Sequence, residues 1–222
     1  MSQDLPGYYD NLNTGVLEAI PADAGLVIEF GCGAGRLGME FKKQHPGCRY
    51  YGVELNAQAA AIAGTRLDMA LCGSAEDADL SFVTGQAECL VYADVLEHLV
   101  DPWNTLKRHA DLLKPGGSVV ACIPNIQHWS IIASLMGGSW AYQDNGLMDR
   151  THLRFFTLAS IHEMFAGAGL TVDNVTGRVL EHPQGPAYLD ALGQSALALG
   201  IDAAAFREQA NVFQYLVQAT RR

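Results

Sequence analysis

Basic residues are few in this sequence and form no run. Lysine and arginine number 14 against 24 aspartates and glutamates, so the formal net charge of the 222 residues is −10 at pH 7. Proteins that bind the phosphates of DNA or RNA need a basic face. We therefore expect no nucleic-acid partner.

Long apolar runs and paired cysteines are missing as well. No segment approaches the roughly 20 apolar residues that cross a bilayer, and the first residues do not have the pattern of a signal peptide. The five cysteines are irregularly spaced, with no CxxC pair and no zinc or iron–sulfur spacing. We therefore expect a cytoplasmic protein with free thiols, no membrane contact and no bound metal.

Short apolar strands alternate with helices up to about residue 125. The strands are predicted at 25–30, 49–53, 69–72, 88–93 and 118–123, and the helices at 8–20, 36–44, 57–66 and 104–113. This alternation predicts an α/β fold with a parallel sheet and helices on both faces. Such sheets bind ligands beyond the carboxyl ends of their strands.

The alternation stops after the fifth strand. Residues 126–156, a helix to 136 and then a stretch without a clear period, are expected to form a cap on the side of the sheet that binds the substrate. The remaining expected elements are a helix at 157–168, a strand at 170–179, a helical insertion at 187–209 and a strand at 212–217. The length fits a single domain over residues 1–222.

Three glycines at alternate positions follow the first strand. They belong to Glu29-Phe-Gly31-Cys-Gly33-Ala-Gly35, where a buried strand is expected to turn into a helix. Glycine lets the backbone turn sharply and approach a ligand closely, and the helix N-terminus then points at that ligand. The context favours a cofactor site over an ordinary glycine-rich turn.

Two kinds of cofactor fit this turn. The segment Gly33–Gly38 matches GxGxxG and Glu54 ends the next strand, a combination found in folds that bind NAD. Glu29, however, places a carboxylate where it would repel a pyrophosphate and attract a cationic group such as an ammonium. The carboxylate favours the second kind of ligand, and an NAD-dependent oxidoreductase stays as an alternative.

The segment Glu29–Gly35 resembles motif I of the class I S-adenosylmethionine-dependent methyltransferases. Tyr51–Asn56 is similar to motif II, whose acid accepts hydrogen bonds from the ribose hydroxyls, and Gly73–Asp77 to the adenine loop. Tyr92–Trp103 resembles the segment after strand four in ubiquinone-biosynthesis-type methyltransferases. Leu113–Gly117 resembles the turn before strand five.

The resemblance implies a seven-stranded Rossmann-like sheet with an antiparallel last strand, S-adenosylmethionine as cofactor and S-adenosylhomocysteine as product. Where many members carry an acid for the adenine amine, this chain has Ser74, which leaves Glu76 or Asp77 as substitutes. The cofactor-binding residues that it implies are Tyr9, Glu29, Gly31, Cys32, Gly33, Gly35, Glu54, Leu55, Ser74, Ala75, Glu76, Ala93 and Asp94.

The candidate acceptor site lies in the cap. Gly146–Thr157 resembles a segment of bacterial methyltransferases often encoded near polysaccharide genes. A hydroxyl acceptor needs a base near neutral pH, and His152 is the first candidate, His128 the second. Asp149 is its expected partner, although His152 and Asp149 could equally hold the loop together. The candidate substrate-binding residues, each of which could instead pack or pin the cap, are Asn125, Trp129, Trp140, Tyr142, Arg150 and Arg154.

These residues predict an enzyme that methylates an oxygen or nitrogen of a small molecule, such as a sugar or natural-product hydroxyl. Two other functions stay open, the NAD-dependent oxidoreductase and a non-catalytic module that binds the cofactor or another protein. The fold alone does not decide among them.

Overall fold

The computed structural model describes residues 7–222, with side chains from Tyr9 onward. Its strands are β1 (Leu26–Phe30), β2 (Arg49–Glu54), β3 (Met69–Cys72), β4 (Ala87–Ala93), β5 (Leu113–Pro124), β6 (Leu170–Val179) and β7 (Val212–Arg221). Its helices are α1 (Thr14–Ala19), α2 (Arg36–Gln44), α3 (Ala57–Arg66), α4 (Pro102–Ala110), α5 (Trp129–Met136), α6 (Leu158–Gly167), α7 (Gly185–Ala198) and α8 (Ala203–Asn211).

The strands form one seven-stranded sheet in the order β3-β2-β1-β4-β5-β7-β6. Strands β1 to β5 pair in parallel, and β7 pairs antiparallel with both β5 and β6. The predicted Rossmann-like sheet with an antiparallel last strand is thereby confirmed. The carboxyl ends of β1, β2 and β4 meet at one edge, which is where the candidate cofactor residues lie.

Helices cover both faces of the sheet. On one face Val16, Phe41 and Ala63 bring α1, α2 and α3 against the strands. On the other, Leu106 and Phe165 bring in α4 and α6. No helix among residues 7–222 has both the length and the apolar character needed to cross a bilayer.

The N-terminal helix differs from the prediction. The helix expected at 8–20 is a 3₁₀ turn, Gly7–Asp10, followed by α1. Asn13 starts α1 because its side chain accepts a hydrogen bond from Val16 N at 3.2 Å. The interruption places Tyr9 on the glycine turn instead of on a helix face.

The turn expected at Leu113–Gly117 is the beginning of β5. Leu113 pairs with Ala87, and the register then shifts so that Cys89 pairs with Ser118. Gly116 adopts φ +78° at this irregularity. The prediction was wrong because a bulge lets the Pro-Gly-Gly segment stay within the sheet.

Other bounds also differ from those expected: the helix expected at 104–113 is α4, which ends at Ala110, and the helix expected at 126–136 begins only at Trp129. The helical insertion at 187–209 is a pair of helices, α7 and α8, separated at Gly200, which has φ +76°. The last strand continues to Arg221, beyond the alternating segment at 212–217, because it lies between β5 and β6. The alternation continues in this extension, where Val217 and Ala219 are buried and Gln218 and Thr220 are half-buried.

Candidate functional site

The glycine turn after β1 has a backbone that only glycine adopts easily. Gly31, Gly33 and Gly35 have φ values of 68°, 54° and 76°. A Cβ at Gly33 would lie 2.6 Å from the carbonyl oxygen of Tyr9, and that oxygen accepts a hydrogen bond from Ala34 N at 2.7 Å. A side chain at Gly33 would therefore displace the N-terminal segment from the turn.

Glu29 lies buried at the end of β1, with 3% of its surface exposed. Among the described residues its Oε2 has no hydrogen-bond partner. Burial raises the pKa of Glu29 to about 8, with the Tyr50 hydroxyl lowering it and the charge of Glu54 raising it. An unpartnered buried carboxyl of this kind fits a cationic group, as the ammonium of a methionine moiety would provide.

Glu54 connects the ends of β1 and β2. Its Oε2 accepts a hydrogen bond from Gly33 N at 2.9 Å and its Oε1 one from Asn56 N at 2.7 Å. Asn56 donates in turn to the hydroxyl of Tyr9 at 3.4 Å. A carboxylate accepts up to about four hydrogen bonds, so Glu54 keeps capacity for ribose hydroxyls.

Further expected cofactor residues follow β2 and β3. Leu55 is 74% exposed, directly after β2, and Ala75 is buried. Ser74 accepts a hydrogen bond from Glu76 N at 3.0 Å. Each carboxylate oxygen of Glu76 accepts one backbone hydrogen bond, from Val100 N at 3.1 Å and from Asp101 N at 2.8 Å. Glu76 thus holds the loop after β4.

Asp94 follows β4 in a strained conformation. It is the one non-glycine residue with positive φ, 56°, in the described part of the chain. Gln214 on β7 donates a hydrogen bond to its Oδ1, and burial raises its pKa to about 6. Ala93, one residue before, pairs with Cys122 in the sheet. Backbone strain of this kind is concentrated at functional sites.

Two adjoining cavities lie beside Asp94 and under the cap. The inner cavity, of about 140 Å³, is lined by residues that include Glu97, Asp149 and His152. The cap cavity, of about 440 Å³, lies between α5 and the cap segment and includes Trp140. Both are lined by Asn145, Gly146, Leu147 and Phe213.

His152 faces the inner cavity with a fixed orientation. Its Nδ1 lies 3.3 Å from the carbonyl oxygen of Leu147, so Nδ1 carries the proton of the neutral ring and Nε2 is free to accept one. Burial and the charge of His98 lower the pKa of His152. Asp149 bonds instead to Thr151 N at 2.8 Å. The side chains of His152 and Asp149 are therefore not hydrogen-bonded to each other, although His152 N donates to the carbonyl oxygen of Asp149 at 3.0 Å. These bonds agree with the alternative in which His152 also holds the loop together.

Glu97, which sequence analysis did not select, lies at the base of the same cavity. Its side chain is 1% exposed, neither oxygen has a partner among the described residues, and Oε1 is 4.0 Å from Nε2 of His152. Single ligating atoms of Glu97, His98 and His152 lie within 4.8 Å of one another, an arrangement that could hold a cation. The sequence signal for Glu97 is weak, because it is a single acidic residue inside a mostly apolar run.

Three other candidates serve structural contacts. Asn125 is fully buried and donates to the carbonyl oxygens of Gln209 and Val212 at 2.9 and 2.8 Å. His128 caps α5, and burial lowers its pKa to about 4. Trp129 stacks on Tyr188 at 5.1 Å between ring centroids. None of the three lines either cavity.

The two arginines of the cap are already engaged. Arg150 pairs with Asp144 at 2.6 Å. Arg154 donates to the carbonyl oxygens of Leu153 and Val100, and its guanidinium lies 5.9 Å from the ring of Trp103. Neither lines a cavity.

The two aromatic residues of the cap differ. Trp140 lines the cap cavity, whereas Tyr142, 53% exposed, does not.

A family model described as a methyltransferase domain matches residues 9–175. The ubiquinone biosynthesis O-methyltransferase of Aeromonas salmonicida is 24% identical over 158 residues, which cover 68% of this chain and 65% of that protein. The chain thus matches slightly less than two thirds of this relative's length.

Solved structures share the fold at low sequence identity. A methyltransferase of Thermotoga maritima, described as a possible histamine N-methyltransferase, superposes with a TM-score of 0.62 at 17% identity, covering 94% of this chain and 89% of that one. The [4+2]-cyclase SpnF superposes with a TM-score of 0.63 at 16% identity, covering 94% and 78%. One fold thus serves proteins named for different reactions.

Proposed function

We propose that this chain methylates an oxygen of a small molecule. The chain belongs to the methyltransferase-domain family and is a class I S-adenosylmethionine-dependent methyltransferase. The observation that carries the proposal is His152, which lines a cavity beside Asp94 and whose Nδ1 is held by the Leu147 carbonyl, so that Nε2 is the unprotonated nitrogen. Membership of this family argues against the alternative function, an NAD-dependent oxidoreductase. The O-methyltransferase name of the Aeromonas relative supports oxygen as the atom methylated.

The residues after β1 and β2 are suited to hold the cofactor. Glu29 offers its unpartnered Oε2 to the ammonium group, and Glu54 offers its remaining lone pairs to the ribose. When bound, S-adenosylmethionine supplies a methyl group on a positively charged sulfur. Asp94, at the rim of the inner cavity, stands between the cofactor residues and the acceptor residues.

His152 handles the proton of the acceptor. Nε2 would accept the hydroxyl proton of the acceptor when the bound cofactor supplies its methyl group to the acceptor oxygen and leaves as S-adenosylhomocysteine. Burial keeps the imidazole neutral at pH 7, which is the form that accepts a proton. The Leu147 carbonyl holds the ring in the required tautomer.

Methyl transfer by His152→Gln tests the proposal. The purified chain is incubated with labelled S-adenosylmethionine and a panel of hydroxylated small molecules. Loss of a general base should lower the rate of transfer by about 10²- to 10⁴-fold while S-adenosylhomocysteine still binds. The matched control is His162→Gln on α6, an exposed histidine that should leave the rate unchanged.

Three outcomes would contradict the proposal in different ways. An unchanged rate in His152→Gln would remove His152 as base. Activity that disappears with a chelator and returns with a divalent cation would make His152 a metal ligand instead. Binding of S-adenosylhomocysteine without transfer to any acceptor would favour the non-catalytic module.

A further inference from the structure

The cap cavity has a neutral lining. No aspartate, glutamate, lysine, arginine or histidine is among the described residues that form its wall. The hydroxyl and amide residues of the wall are Ser130, Ser134, Ser139, Gln143 and Asn145. Hydroxyls and amides both donate and accept hydrogen bonds, which is the pattern that complements a ligand rich in hydroxyl groups.

Most of these polar side chains are not used within the protein. Ser130 bonds to Nδ1 of His128 at 2.8 Å. The exposed side chains of Ser134, Ser139, Gln143 and Asn145 make no hydrogen bond to another described residue. They are available to a ligand, and the indole of Trp140 beside them offers a flat apolar surface.

The wall between the two cavities is a closed turn. Gln143 N donates to Met148 O at 2.8 Å, Asp149 N to Gly146 O at 3.1 Å, and Arg150 N to Gln143 O at 3.0 Å. This turn carries Asn145 and Leu147, which line both cavities. The two cavities are therefore held in a fixed relation, as one site that consists of two compartments.

The compartments differ in size and charge. The inner cavity, at about 140 Å³, holds roughly the volume of five waters and carries the titratable residues. The cap cavity, at about 440 Å³, is three times larger and neutral. The inner cavity is large enough for the reacting hydroxyl, and the rest of the acceptor would occupy the cap cavity.

We propose that the acceptor is a neutral, polyhydroxylated molecule of at least two rings, with its distal ring against Trp140 and its reacting hydroxyl beside His152. The inference rests on the proposed function and adds the class of the acceptor. A charged acceptor would find no opposite charge in the cap cavity, because Arg150 and Arg154 lie outside its wall.

Binding to the chain saturated with S-adenosylhomocysteine tests this inference by calorimetry. The probes are a neutral hexose, its β-1,4 disaccharide and the corresponding disaccharide with one uronic acid. We expect the neutral disaccharide to bind at least about 10-fold more tightly than the hexose and the uronic acid form. Trp140→Ala and Asn145→Ala should each weaken the disaccharide by about 5- to 10-fold.

Tyr142→Ala is the matched control, because Tyr142 is an exposed cap aromatic outside the cavity wall. It should bind the disaccharide as the unchanged chain does, and all three variants should bind S-adenosylhomocysteine normally. No binding of any probe, equal binding of hexose and disaccharide, tighter binding of the uronic acid, or indifference to Trp140→Ala would overturn the inference. Methyl transfer to a charged or single-ring hydroxyl compound would do so too, and would leave the proposed function standing.

Discussion

At the scale of single residues, Glu29 shows how a buried charge is reserved for a ligand. A carboxyl that is 3% exposed and has an unpartnered oxygen destabilises its ionised form, which is why its pKa is raised to about 8. Near pH 7 the side chain is therefore mostly protonated before the cofactor binds. A cationic group beside it would lower the pKa and release that proton.

Binding of S-adenosylhomocysteine near pH 7 should therefore release close to one proton. The measurement is calorimetry in two buffers with different ionisation enthalpies, phosphate and Tris. Glu29→Gln should release no proton and should bind about 10-fold or more weakly, since a neutral amide replaces the charge opposite the ammonium. Glu181→Gln, at an exposed position, is the control. Equal proton release by Glu29→Gln and the unchanged chain would refute this role.

Asn125 illustrates a polar residue that sequence analysis assigned to the substrate and the structure uses internally. Its three hydrogen bonds reach Gln209 O, Val212 O and Gln127 N. Asn125→Ala would leave these buried groups unpaired, so the free energy of unfolding should fall by about 2–3 kcal/mol in urea titrations. The control is Asn174→Ala at an exposed position, where the side chain bonds only to Gln218. It should lower the free energy of unfolding by under about 1 kcal/mol. Full stability with weakened acceptor binding would restore the original assignment.

At the scale of elements, the glycine turn between β1 and α2 determines where the cofactor can bind. Its backbone amides donate hydrogen bonds to Tyr9, Val53 and Glu54, so the turn is joined to the N-terminal segment and to β2 at one edge of the sheet. The positive φ of Gly33 and the close Tyr9 oxygen act together. The destabilisation caused by the positive φ and that caused by the Tyr9 oxygen can be separated by substituting a second glycine that has only the positive φ.

Gly85→Ala provides that separation, because Gly85 has φ +70° with no atom within 4 Å of an added Cβ. It should lose about 1 kcal/mol of unfolding free energy from the backbone alone. Gly33→Ala should lose more, since its Cβ also meets Tyr9 O, and should weaken S-adenosylhomocysteine binding at least about 10-fold. Unfolding in urea and calorimetry check both. Equal losses in the two variants, with normal cofactor binding, would show that the contact with Tyr9 is unimportant.

Elements with clear local signals were predictable from sequence. The bounds of α2, α3, β3 and β6 agree with the apolar periods and their flanking residues. The bulged start of β5 was not predictable, because its pairing with Ala87 decides it, whereas the start of α1 at Asn13 carried a local signal, a preferred N-cap residue, that the apolar period alone does not register. Sequence patterns report local preferences, and tertiary contacts override them at such points.

The two halves of the candidate site were unequally predictable. The cofactor residues follow consecutive parallel strands, and topology alone brings the ends of these strands together. The acceptor residues come from the cap and from β7, so nothing in their spacing indicates that His152 meets Glu97 or that Gln214 meets Asp94. Asn125 and Trp129 were placed near the acceptor by position, whereas burial assigns them to packing.

At the scale of the whole molecule, buried titratable groups oppose one another as the pH changes. Burial raises the pKa of Glu29 to about 8 and that of Glu97 well above its usual range. It lowers the pKa of His109 and of His128 to about 4. The carboxyls hold protons more tightly in the folded protein, and the histidines hold them more tightly in the unfolded chain.

These shifts predict the sign of the pH dependence in two windows. Below pH 6.5 the histidines favour unfolding as the pH falls towards 4, while the carboxyls act in the opposite direction. Between pH 6.5 and about 7.5 the two histidines still lose protons in the unfolded chain, which adds about 0.4 kcal/mol of stability for each. Over the whole window from pH 6.5 to 8 the unfolded chain has already lost the carboxyl protons that the folded protein still binds, and this larger effect lowers the stability. The free energy of unfolding without cofactor should therefore fall as the pH rises through this window.

Urea unfolding at pH 6.5 and pH 8 measures this fall, and Glu29→Gln identifies its source. Glu29 alone contributes up to about 2 kcal/mol over 1.5 pH units, at roughly 1.4 kcal/mol per unit. Glu29→Gln removes the contribution of Glu29 to this fall and keeps that of Glu97. The free energy of unfolding of this variant should therefore fall less between the two pH values. Glu181→Gln should behave as the unchanged chain does. A rise in stability from pH 6.5 to 8, or an equal fall in Glu29→Gln, would mean that Glu29 is already ionised in the folded protein, and the proton release on cofactor binding would then also be absent.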